Sequence, residues 1–137
     1  MGYRYLYPDV DPATPLPLTA GERIALSVCV GVMAFGAAWG MIEVTVVACA
    51  AFLGLLGFST LTTRRRIRNE ARTRFPAENW AENEISPRRP VLRVVGVLAG
   101  VVLLILGVST FAPASYALTF ATATGLVASG LMYWALR

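Results

Sequence analysis

The sequence predicts an all-α protein: an integral membrane four-helix bundle, built of two transmembrane hairpins, with a charged loop on the cytoplasmic side. Three observations carry this expectation. Of the 137 residues, 56% are apolar and only 15% charged, against about 25% charged in ordinary soluble domains, and the mean hydropathy is +0.61. The apolar residues are gathered into two long blocks, 24–61 and 91–136, separated by a polar stretch. The basic residues avoid those blocks almost completely, and all 12 of them are arginines.

The chain divides into four segments. Residues 1–21 are polar, aromatic and rich in proline, with Pro8, Pro12, Pro15 and Pro17 barring a regular helix. Asp9 and Asp11 stand ahead of the apolar run, where a secretory signal would carry a basic start and a short apolar core, so no signal peptide is expected. Thr19 followed by Glu22 forms a capping box, in which each side chain accepts from the other residue's backbone amide, and the first helix should start near Ala20.

Between Ile24 and Leu61 the only charge is Glu43. A single helix of that length would reach about 57 Å at 1.5 Å per residue, nearly twice the ~30 Å hydrocarbon core of a bilayer, so the segment 22–62 must turn back once. Gly40 permits the turn, giving spans near 22–40 and 43–62. The loop 63–90 follows. In the last segment, 91–137, Pro113 cannot continue a helix but suits the first turn of a new one, which divides it into spans near 91–111 and 114–136.

With four spans, both termini and the loop 63–90 share one side, and every arginine falls there. The positive-inside rule makes that side cytoplasmic and the protein a multi-pass component of the cell membrane. Arg64, Arg65, Arg66, Arg68, Arg72 and Arg74 crowd eleven positions against one acid, Glu70. On a helix continuing from the second span to Pro76 they would lie along anionic lipid headgroups, each contributing on the order of 1 kcal/mol. An acidic block with Glu78, Glu82 and Glu84 comes next and should form a helix between Pro76 and Pro87; Arg88, Arg89 and Arg93 then restore positive charge. Two readings compete for this loop. Either the acidic helix folds back on the arginines, or the loop with an exposed Trp80 presents a docking surface for lipid and a partner.

Within lipid, helices associate through small residues that let backbones approach. Gly36 and Gly40, Gly96 and Gly100, Ala50 with Gly54 and Gly57, and Ala121 with Gly125 give each span such a seam. The partner implied is another membrane protein or a second copy. Cys29 and Cys49 should differ by roughly 10 Å in depth at the helical rise, beyond disulfide reach.

The composition also excludes chemistry. With no histidine or lysine there is no imidazole base and no Schiff-base amine, and the carboxylates are scattered; no catalytic residue, metal site or cofactor is expected, and the protein is not an enzyme. The net charge of +4 comes with no recognised nucleic-acid module, so no nucleic-acid partner is expected. The reading that follows is a non-enzymatic accessory or scaffold subunit. Its rival is a small oligomeric transporter or channel using Glu43, the one acid near membrane depth, and the hydroxyls of the fourth span.

Overall fold

The computed structural model describes residues 3–84 and 88–137, and every regular element among them is helical. A single turn, α1 (Tyr3–Leu6), precedes the prolines. Helix α2 (Ala20–Trp39) starts at the expected capping box: the Glu22 amide donates to Thr19 Oγ1 at 3.2 Å and the Thr19 amide to Glu22 Oε2 at 2.8 Å. It ends at Gly40, whose φ of +78° lies in the left-handed region that favours glycine. The Gly40 amide returns to Ala37 O and the Met41 amide to Gly36 O, so the last carbonyls of α2 are satisfied before the chain reverses into α3 (Ile42–Leu61).

Helix α3 does not run on to Pro76. Thr62 adopts extended geometry, with ψ of 137°, and a separate helix α4 (Thr63–Arg74) begins. The break is stabilised where the α3 carbonyls are orphaned: Ser59 O accepts from Thr62 Oγ1 at 3.0 Å and from Arg65 Nη1 at 2.8 Å. Helix α4 stops at Arg74, just short of Phe75, whose position before Pro76 disfavours helical backbone. The acidic block is also less helical than expected. Among its described residues only Ala81–Glu84 forms a helical turn, α5, with the Ala81 amide donating to Pro12 O at 2.9 Å; the expected helix end at Pro87 lies outside the described residues.

Helix α6 spans Arg88–Phe111, three residues earlier than the apolar run suggested. A 3₁₀ turn over Ala114–Tyr116 follows Pro113 and leads into α7 (Ala117–Ala135). Four segments, Ala20–Trp39, Ile42–Leu61, Pro90–Phe111 and Ala114–Ala135, are long and apolar enough to cross a membrane.

Helices α2 and α7 make the most extensive contact. α3 leans on α2, and α6 packs on α7 and more lightly on α2. The shared core is Val30, Ala34, Val101, Ala128 and Met132, with Phe52 and Ile105 packed around it. At the crossing, a Cβ on Gly31 would stand 2.8 Å from Gly125 O, and one on Gly125 would stand 2.9 Å from Gly31 O and 3.1 Å from Phe35 Cβ. Gly31 also abuts Ser129, so the contacts run in opposite senses along the two helices, which are antiparallel. Both cysteines are free thiols.

Candidate functional site

The chemistry-bearing side chains gather at the end where α2 begins and α3 ends. There α4, the N-terminal segment around residues 7–14 and the stretch 75–84 build a small cap. Its apolar centre is Ala71 and Trp80, with Tyr7, Val10 and Phe75 against them. The ring of Tyr7 meets that of Phe75 edge-on at 6.4 Å, and Trp80 Nε1 donates to Phe75 O at 2.9 Å. Burying an indole needs a partner for its N–H, and the neighbouring backbone supplies it.

Arg68 holds the cap together. Its side chain is 7% exposed, and a buried guanidinium is tolerable only when its charge and donors are matched. Nε and Nη2 form a forked pair with the Glu82 carboxylate at 2.7 and 3.2 Å, Nη1 donates to Asp11 O at 2.9 Å, and Nη2 also reaches Pro12 O at 3.3 Å. The guanidinium carbon lies 5.4 Å from the centre of the Trp80 ring, within cation–π range. One side chain therefore joins α4, the N-terminal segment and the acidic stretch. The Arg68 guanidinium in turn holds the Glu82 carboxyl below its ordinary value, outweighing the opposite pull of burial.

Arg65 ties the cap to the bundle. Besides capping Ser59 O, it pairs through Nη2 with Glu22 Oε2 at 3.1 Å, the same oxygen that caps α2. A cation at the end of α3 and an acid at the start of α2 each complement the local helix dipole. On the outer face of α4, Arg72 donates to Asn83 Oδ1 at 2.7 Å and Arg74 pairs with Glu70 at 2.9 Å. Arg64 and Arg66 are exposed.

This arrangement corrects two expectations. Trp80 is not exposed but 1% accessible, and Arg68 does not face headgroups but is enclosed by Glu82 and backbone carbonyls. The acidic stretch folds back onto the arginines. Arg88 and Arg89 open α6, and their side chains lie outside the described residues.

The packing residues divide into two groups. Gly36 sits tight against Val44 and Thr45, where a Cβ would come within 3.0 Å of either, and Ala121 and Gly125 are buried on α7. A Cβ on Gly54, Gly96 or Gly100 would meet nothing within 4 Å. Gly40 is needed for its positive φ and not for close packing. Glu43 is exposed in the first turn of α3, at the end opposite the cap.

Two features escaped sequence reasoning. Gly31, the counterpart of Gly125, had a signal in its four-residue spacing from Ser27. The cap had one in Tyr7, Val10, Phe75 and Trp80, apolar or aromatic residues scattered through otherwise polar segments. The chain matches no protein-family model, no curated protein and no solved structure.

Proposed function

We propose that this is a multi-pass cell-membrane protein whose four spans carry the cap on the cytoplasmic side, and that it serves as a non-enzymatic accessory or scaffold subunit of a membrane complex. The observation that carries this reading is the contrast between faces. Large apolar side chains stand open along α3, including Val46, Val47, Leu53 and Phe58, and along α6, including Leu92, Val95, Leu103 and Leu106. Surface of that extent requires lipid or other apolar helices as its solvent.

The small residues point to helices for part of it. Gly54 on α3 and Gly96 and Gly100 on α6 are open to close backbone approach, as in membrane helix association, but receive none from the described residues. Another membrane protein or a second copy would supply it. Arg64, Arg66, Arg72 and Arg74 stand on the outside of the cap, suited to contact with anionic headgroups. Glu43, exposed at a helix N-terminus, fits a hydrated turn residue better than a transport carboxylate.

The test is native extraction from the source membrane, followed by mass determination of the intact assembly. The expected result is a second protein in fixed stoichiometry, released by Gly100→Leu. A homo-oligomer with nothing attached, whose ion or substrate flux in proteoliposomes is abolished by Glu43→Gln, would replace this reading with transport.

A further inference from the structure

Between the N-terminal segment and α4 lies a half-enclosed groove of about 870 Å³, within the range that small-molecule sites occupy. One part of its wall is apolar, formed by Leu6, Leu16 and Ile67. Its charged residues are two acids and two bases, Asp9 and Asp11 with Arg64 and Arg68, so the lining is not basic overall.

Two of those four charges are already engaged. Arg68 is forked onto Glu82, and the Asp11 carboxylate accepts from the Ala13 amide at 3.1 Å and Thr14 Oγ1 at 2.6 Å. Arg64 and Asp9 are exposed, and among the described residues neither is joined in a salt bridge. The groove therefore offers one cation and one anion beside an apolar wall.

Its depth follows from the chain. Arg64 is three residues past the end of α3, and Leu16 three before the N-cap Thr19. Three residues reach at most about 10 Å, so both stay at the level of the headgroups if the helices span a bilayer.

We propose that this groove binds one phosphatidylethanolamine-type lipid, its phosphate on Arg64, its ammonium on Asp9 and the start of its acyl chains against Leu6, Leu16 and Ile67. The proposal rests on the membrane reading above. A purely anionic headgroup would pair Arg64 but leave Asp9 facing like charge, which complementary sites avoid. A choline headgroup has no N–H to donate to Asp9, whereas an ammonium has three.

Native mass spectrometry of the delipidated full-length protein tests this, titrating phosphatidylethanolamine, phosphatidylcholine and phosphatidylglycerol with identical acyl chains. The expected result is a single ethanolamine lipid bound at least about ten-fold tighter than either rival. Asp9→Asn and Arg64→Gln should each weaken it by about ten-fold, the usual effect of losing one charge-assisted hydrogen bond. Glu78→Gln, exposed and outside the groove, should leave it unchanged.

Equal binding of the three lipids, preference for phosphatidylglycerol, or selectivity indifferent to both groove substitutions overturns the proposal. So does binding of soluble glycerophosphoethanolamine as tight as that of the lipid, which would make the groove a site for a free zwitterion. Alkaline extraction of the same preparation from liposomes separates the two levels of the account. Protein that stays in the bilayer without lipid selectivity refutes the groove site alone, and protein that washes off refutes the membrane reading with it.

Discussion

The central pair, α2 and α7, and the outer pair, α3 and α6, carry the same kind of small-residue spacing and use it differently. Of the apolar windows, 33% of α2 and 28% of α7 is buried, but only 11% of α3 and 6% of α6. Gly125 meets the backbone of α2, while a Cβ on Gly96 or Gly100 would meet nothing within 4 Å among the described residues. A small residue every fourth position shows that a backbone can be approached closely, but it does not say by what. In a chain that is apolar all round, lipid-facing and helix-facing surfaces look alike, so the hydrophobic pattern cannot choose between them.

The comparison breaks most sharply by substitution at matched glycines. Gly125→Leu should cost about 3 kcal/mol or more, because the added side chain has no room against the Gly31 carbonyl and must force the helices apart. Gly100→Leu should change the stability of the isolated chain by less than about 0.5 kcal/mol. Thermal unfolding in mild detergent reads both, and equal losses would remove the distinction between inner and outer helices.

A second substitution asks whether the cap is a separate unit from the central pair. Arg68→Ala should cost about 2 kcal/mol, below the 3–5 typical of a broken buried ion pair, since the Glu82 carboxylate left behind can rehydrate. Hydrogen exchange should then accelerate in residues 7–14 and 75–82 while the middle of α2 and α7 stays protected. The same pair sets a pH dependence. Glu82 gives up its proton more readily folded than unfolded. Its contribution is therefore complete above the ordinary glutamate value of about 4.3 and is lost as pH falls through the lowered folded value. The acid loosening of the cap should be absent in Arg68→Ala.

A smaller loss than at Arg68 should come from Arg65, which joins the outer helix α3 to the inner helix α2. Arg65→Ala should cost about 1 kcal/mol, typical of a partly exposed ion pair with one carbonyl contact. Exchange should quicken at residues 59–66 and not along α7.

How much of this was legible in the sequence depended on the range of the interaction. The Thr19–Glu22 box, the turn at Gly40 and the restart after Pro113 are set by neighbours within four residues, and their positions could be read directly. The Ala121–Gly125 seam was legible as a face, but its partner Gly31 was not, because two apolar helices that pack together share no local signal. The cap was the least legible. Arg68 bonds to the carbonyl of Asp11, 57 residues away, and a run of six arginines reads as a uniform surface until one of them is known to be enclosed. The break at Thr62 mixes the two ranges: Thr62 and Arg65 cap Ser59 O locally, while Arg65 is also held by Glu22, 43 residues away.

The account rests on four helices crossing a bilayer with the cap on the cytoplasmic side and the turns at Gly40 and Pro113 opposite. The most direct measurement is labelling with a membrane-impermeant maleimide in intact cells, using chains in which Cys29 and Cys49 are alanine and one cysteine is introduced by Ser115→Cys or Thr73→Cys, both exposed positions. The account predicts labelling of the first in intact cells and of the second only after permeabilisation. Labelling of both from the same side, or the reverse pattern, would contradict it.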